Sequence, residues 1–520
     1  MATFIVDDNN NGDFRTIAEA IAVASQGDKI IVTGGSDNIH NEANILVDKD
    51  LIIESDSFAT IDAQGEGRVF TIDDGSSNQI AVTLKNLTIT GGKADDGLQE
   101  FTDDDLGGGI LNSEKLLLDN VVVTENTAAV FGGGIASTDG EIEINRSSFT
   151  ENTALFGGAI DLSNSKLAIE ESIFTDNNAE LTGGAISSFE SELSIERSDI
   201  SNNTAGVDGG AIFNNSDSQA FIEEVNLNGN TAGRVGGAIS SQLGVELKIE
   251  RSDISNNTAG AAGGAIHNSF DSQAFIKEVS INDNTAGDVG GGISNQTDSQ
   301  LRIEKSSISN NTADEQGGGI FNNGTEVTVI ESSISNNVAD ELGGGIYTQL
   351  SSVNLEKSSV TQNQAIVGGG IFSAESNVSL DNSQIANNNS TFFDNNILEL
   401  ANFFLDSPDG FSDGGSNTLS GTPEDDFIEA LDGDDTLIGL GGNDIYDGDE
   451  GADIFVIGAN SGTDVIVNFE DGIDLIGLSG GLGLSDLNFV DNSIIFEEQT
   501  IAFVANIDTT TLTSEDFVTL

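Results

Sequence analysis

A tetrapeptide, GGGI or GGAI, recurs eleven times, its isoleucine falling at 110, 135, 160, 186, 212, 239, 266, 293, 320, 346 and 371. The interval is 25 to 27 residues throughout. A second column, apolar-x-x-Asn, runs in step with it from Asn126 to Asn388. Between the columns lie short alternating stretches such as ELSIE (192–196) and QLRIE (300–304), separated by Gly, Asn, Asp and Ser. Alternation of period two reads as strand, and the punctuating residues read as turns. A unit this short cannot bury an apolar face alone, so the units must stack on one another. Only 37% of residues are hydrophobic, but they fall in regular clusters, which suits an elongated repetitive fold.

Stacking as a coil of about three strands pairs each strand with its equivalent in the next turn, in parallel and at about 4.8 Å. Isoleucine then sits on isoleucine inside, each contributing roughly 1.5–3 kcal/mol on burial. The glycine pairs turn the chain where a side chain would clash. The asparagines form an amide ladder along the stack. The fold class is therefore all-β, a parallel β-helix of eleven regular coils about 50 Å long, with irregular first coils before it. Residues 14–24 place Phe14, Ile17, Ala18 and Ile21 on one helical face, with Thr16 and Glu19 as a capping box, so a short helix is expected to cap the open end. Three residues before each apolar-x-x-Asn motif stand Arg146, Glu171, Arg197, Glu224, Arg251, Glu278, Lys305, Glu331 and Lys357. Their alternating sign predicts a salt-bridge ladder in which every charge meets opposite charges in the coils before and after.

The chain carries 87 acidic and 17 basic residues, a net charge of −70. Nucleic acid is excluded as a partner, since phosphate contacts need clustered Lys and Arg. Anionic lipid is disfavoured for the same reason. With no cysteine there is no disulfide, thiolate metal site or cysteine nucleophile. No stretch is long and apolar enough for a transmembrane helix, and MATFIVDDNNNGDF lacks the features of a secretory leader.

Lys357 is the last basic residue, and residues 401–520 hold 26 acidic ones. The shift predicts a cap and first coils over 1–60, a β-helix over 61–390, a linker over 391–418 and a calcium-binding and secretion domain over 419–520. Residues 421–456 read as four nonapeptides: GTPEDDFIE, ALDGDDTLI, GLGGNDIYD and GDEGADIFV. Asp426, Asp435, Asp444 and Asp453 recur every nine residues, and Ile428, Leu437, Tyr446 and Phe455 follow two later. This is the pattern of a roll with a six-residue turn and a three-residue strand. The cofactor expected is Ca²⁺, because hard carboxylate and carbonyl oxygens suit it. The ligand set comprises the four aspartates with Gly421, Gly433, Gly439, Gly442, Gly448 and Gly451. Successive nonapeptides face opposite edges, so Asp426 pairs with Asp444, and Asp435 with Asp453. The consensus second glycine is replaced by Thr422, Leu431, Leu440 and Asp449.

These nonapeptides resemble RTX (haemolysin-type) calcium-binding repeats. The segments GADIFVIG and GTDVIVNFEDGIDLIGL look like the C-terminal part of serralysin-like RTX domains. The resemblance implies type I export through an uncleaved C-terminal address, compatible with SEDFVTL at 514–520. Residues 107–390 are similar to the FxxN and GGA[I/L/V] repeats of polymorphic outer-membrane proteins, with Phe149–Asn152 and Phe174–Asn177 matching outright. Residues 13–92 look like the opening of pectate-lyase-like right-handed β-helices, which implies right-handed coiling.

A β-helix followed by RTX repeats also resembles mannuronan C5-epimerases, which use a Tyr/Asp/His cluster. The only tyrosines here are Tyr347 and Tyr446, and the only histidines His40 and His267. Tyr347 and His267 are three coils apart, about 15 Å along the stack. His267 reads as a solvated coil residue and His40 as part of an irregular loop. The breaks in periodicity are residues 93–106 and Asp161, the first being the better place for a hidden site. The balance is a secreted, calcium-binding, non-catalytic protein of the cell surface or matrix, with extracellular polysaccharide or cell-surface components and the type I export machinery as partners. The alternative is a polysaccharide lyase, hydrolase or uronan epimerase.

Overall fold

The computed structural model describes all of the chain except residues 10, 34–37, 77–78, 96–101, 393–395, 401, 406–415, 432, 460 and 506. It is a parallel β-solenoid of about 15 turns followed by a second, smaller stack, parallel except where Leu487–Val490, Ser493–Phe496 and Gln499–Val504 pair antiparallel. The register is the one the repeat dictates: Ile110 pairs with Ile135, and Ile135 with Ile160. All eleven repeat isoleucines are fully buried.

Each regular coil has four short strands rather than the three expected. In one coil they are Ile135–Thr138, Glu141–Asn145, Ser148–Thr150 and Thr153–Phe156. The second and third belong to one broad sheet, and the others to two narrower ones. The extra break falls at the alternating charge column, where the nine residues from Arg146 to Lys357 all have φ between 46° and 56°. A left-handed residue bends the strand there.

The repeat glycines do two jobs. Gly209 has φ of +66°, and a Cβ on Gly210 would strike the backbone of Gly237 in the next coil. The asparagine ladder is present over its whole length. Asn257 Nδ2 donates to Asn284 Oδ1 at 2.9 Å and to the Leu227 carbonyl at 3.0 Å, while its own Oδ1 accepts from Asn230. A serine column that the sequence reading passed over runs beside it. The Ser147 N–H donates to Ser172 Oγ, and the Ser172 N–H to Ser198 Oγ.

At the N-terminal end, helix Ile17–Val23 lays Ile17, Ala20 and Ile21 on the core, with Thr16 and Glu19 forming the expected capping box. The charge column departs from expectation. Arg197 reaches Glu170, Glu171 and Glu196, and Arg251 reaches Glu223, Glu224 and Glu250. Among the described residues no ion pair joins Arg197 to Glu224 or Arg251 to Glu278. A left-handed turn aims these side chains toward the preceding coil and their own acidic neighbour, so the ladder is one-sided.

Candidate metal centre

The C-terminal stack is built as the nonapeptide arithmetic requires. Asp426–Glu429 pairs in parallel with Ile445–Asp447, and Thr436–Ile438 with Ile454–Gly458, so successive units alternate between two sheets. Ile428, Leu437, Tyr446 and Phe455 fill the interior. Asp426, Asp435, Asp444 and Asp453 are all buried. The predicted partners 18 residues apart do meet: the Asp426 N–H donates to Asp444 Oδ1 at 3.0 Å, and the Asp435 N–H to Asp453 Oδ1 at 2.8 Å.

The columns are longer than the nonapeptides. The Asp444 N–H donates to Asp464 Oδ1 at 3.2 Å, and the Asp453 N–H to Asp474 Oδ1 at 2.9 Å. Asp464 and Asp474 were missed because the spacing widens to 20 and 21 residues. The signal was the shared G-x-D-apolar pattern of GTDV and GIDL.

A backbone N–H occupies Oδ1 of Asp444, Asp453 and Asp464, and both oxygens of Asp474 accept one. Asp444 Oδ2 and Asp453 Oδ2 are buried with no hydrogen-bond partner. A Cβ on Gly421, Gly439 or Gly448 would press into the carboxylate of Asp426, Asp444 or Asp453. Gly442 stacks on the Glu424 backbone, and Gly451 on Gly433. Glycine thus leaves space beside each carboxylate and lets turns 18 residues apart approach closely. Burial pushes Asp444 and Asp453 up to about 7 and Asp464 up to about 8, against the pull of the backbone N–H groups. A divalent cation reverses that balance by giving each carboxylate a counter-charge. Orphaned oxygens, glycine-made space and hard ligands all fit Ca²⁺. Leu431, Leu440 and Asp449, standing where the consensus has glycine, have φ of 63°, 71° and 59°. The turn conformation is kept at the cost of strain.

The roll lies against the solenoid. On the outer face of the glycine-led sheet, the narrower sheet whose strands begin at the repeat isoleucines, Phe321, Tyr347 and Phe372 stack at 5.1 and 5.4 Å and pack with Phe427, Ile445 and Val465. Beside them is a cavity of about 340 Å³ lined by Glu315, Glu341, Glu429, Asp447, Asp449, Glu450 and Glu470. Burial and mutual repulsion push Glu315 up to about 8 and Glu429 up to about 7.

The histidines correct the sequence reading. His267 is buried, not solvated, and burial lowers it to about 4. It lies near the Arg234–Asp208 pair, where Nε meets Oδ1 at 2.9 Å. His40 is buried in strand Ile39–Asn41 rather than a loop, with Nε2 at 2.9 Å from the Thr33 carbonyl. Tyr347 is buried against the roll, so the two tyrosines and two histidines form no cluster. Of the two breaks in periodicity, residues 96–101 lie outside the described residues, and so does much of the expected linker at 391–418. Asp161 is described and sits on the outer face of the glycine-led sheet.

The fold and site together define a parallel β-helix carrying a calcium-binding roll. Residues 411–445 and 420–455 match the RTX calcium-binding nonapeptide repeat (4 copies), whose members bind calcium. Residues 198–215, 305–323 and 331–349 match the Chlamydia polymorphic membrane protein repeat. Among solved structures, the crystal structure of pectate lyase Pel9A is similar at 12% identity and a TM-score of 0.27, over 72% of this chain and 79% of that one. No curated protein matches the chain. No helix among the described residues is long and apolar enough to cross a membrane.

Proposed function

We propose that this chain is a secreted, non-catalytic β-helix protein that acts at the cell surface or in the extracellular matrix, its C-terminal roll folding on calcium. The observation that carries the reading is the pair of buried aspartate columns, with Asp444 Oδ2 and Asp453 Oδ2 unpartnered, in a segment of 26 acidic and no basic residues. Such a segment repels itself until a cation joins its turns, so binding free energy becomes folding free energy. Asp426, Asp435, Asp444 and Asp453 supply carboxylate oxygens. Gly421, Gly433, Gly439, Gly442, Gly448 and Gly451 open the turns to the ion. Low cytosolic calcium would leave residues 419–520 unfolded and fit for type I export, and roughly millimolar extracellular calcium would fold them.

The test is a calcium titration of the full chain by circular dichroism and hydrogen exchange, beside an Asp444→Ala/Asp453→Ala variant. The expected result is protection of 419–479 gained only with calcium, at a higher midpoint in the variant. A roll equally protected in EDTA, or a variant with an unmoved midpoint, sinks the reading.

A further inference from the structure

The outer face of the sheet formed by the strands that begin at the repeat isoleucines is aromatic at both ends, and among the described residues only the C-terminal end is covered. At the C-terminal end Phe321, Tyr347 and Phe372 lie against the roll. At the N-terminal end the described residues leave a groove of about 460 Å³. Phe131 and Phe156, ring centroids 5.2 Å apart, form one wall. Phe189, 45% exposed, stands on the other, and Phe213 lies on the floor. Leu106, which continues the Phe131–Phe156 column, and Asp161, where the sequence breaks the repeat, also line it. Beyond it, the bidentate Arg234–Asp208 pair takes the place of the aromatic wall.

We propose that this groove binds a segment of a neutral glycan chain, which rests on reading the protein as a surface binding protein and supplies its ligand. The occupant follows from the lining. Stacked phenylalanines offer flat apolar faces, and Thr138, Ser163, Thr182 and Asn215 offer uncharged hydrogen-bonding groups. A sugar ring presents both surfaces at once, an apolar C–H face and a hydroxyl edge. Among the described residues no Lys or Arg lines the groove, and a net charge of −70 repels a polyanion. Asp161, hydrogen-bonded to Ser187, is held up to about 7 by burial. It therefore offers little negative charge to a cation under mildly acidic conditions, while either protonation state can hydrogen-bond a hydroxyl. An extended peptide fits poorly, since the strands here are paired on both sides and leave no free edge for its backbone. The volume lies within the usual range of ligand sites.

The experiment uses the full chain in millimolar calcium, titrated calorimetrically with neutral hexasaccharides of glucose, xylose and mannose and with polygalacturonate. Phe156→Ala, Phe189→Ala and Asp161→Ala are compared with Phe221→Ala, on the solvent face of the broad sheet. Binding of at least one neutral hexasaccharide is expected, about tenfold weaker in each groove variant and unchanged in Phe221→Ala. No neutral glycan bound, binding indifferent to the groove variants, or polygalacturonate alone bound would each overturn the proposal. Circular dichroism in EDTA and calcium reads the folding switch separately, so either idea can fail without the other. Cleavage of a bound hexasaccharide would support the groove as a glycan site and overturn the non-catalytic reading.

Discussion

The ring of Phe427 in the roll meets the ring of Phe372 on the solenoid edge to face, with centroids 5.3 Å apart and planes at 80°. This contact joins two bodies that are both acidic. The apolar seam draws them together, while Glu315, Glu341, Glu429 and Asp447 beside it oppose the union.

That opposition has a pH signature. Glu315 and Glu429 rise from an ordinary value of 4.5 to about 8 and about 7 in the folded chain. The folded state then binds more protons than the unfolded one between about 4.5 and 8, so stability falls as pH rises through that window. With calcium saturating, thermal unfolding of the full chain should show a midpoint that declines from pH 5 to pH 8. A Glu315→Gln/Glu429→Gln variant should show a flatter profile. An equal slope in the variant would place the proton uptake elsewhere.

Asp464 and Asp474 extend the two aspartate columns, so they should tune calcium. Asp464→Ala is expected to raise the calcium midpoint of roll folding, and Asp464→Ala/Asp474→Ala to raise it further. Calcium titration followed by circular dichroism checks this, and midpoints equal to that of the parent would confine the site to the nonapeptides.

Leu440 holds φ of 71° with its side chain 60% exposed. Glycine adopts that conformation without the Cβ clash and loses little burial. Leu440→Gly should therefore stabilise the calcium-loaded roll by about 1 kcal/mol. Urea unfolding in calcium reads the change, and a loss of stability would show that this leucine packs better than its exposure suggests.

In the asparagine ladder, Asn257→Ala leaves the Asn230 backbone N–H buried without its acceptor and takes one donor from the Leu227 carbonyl. A cost of about 1–3 kcal/mol for the group so orphaned is expected. Hydrogen exchange should show faster opening centred on the coils holding Asn230, Asn257 and Asn284. An effect spread evenly along the rod would mean the ladder is not a local tie.

Arg251 contacts Glu223, Glu224 and Glu250 and is 42% exposed. Arg251→Glu should destabilise the solenoid by about 1 kcal/mol at low salt, and by less at high salt. Because the contacts are one-sided, Glu278→Arg should cost less than Arg251→Glu. Comparing the two by thermal unfolding tests the geometry, and equal costs would restore the two-sided ladder.

The sequence by itself determined the stack. A 25- to 27-residue period too short to fold alone leaves in-register stacking as the way to bury isoleucine, so register and the asparagine ladder follow from spacing. The nonapeptides were legible for the same reason, since nine residues alternating between two edges put Asp426 under Asp444. What escaped was whatever depends on direction or on contact between distant parts. The left-handed turn at Arg251 aims charge toward one neighbour, which no alternation of sign reveals. Asp464 and Asp474 align in space although their spacing breaks the period. The burial of His267, the packing of the roll on Phe372 and the groove around Asp161 belong to the outer surface. There the repeat repeats only its backbone, so side chains many residues apart decide together what is covered and what is left open.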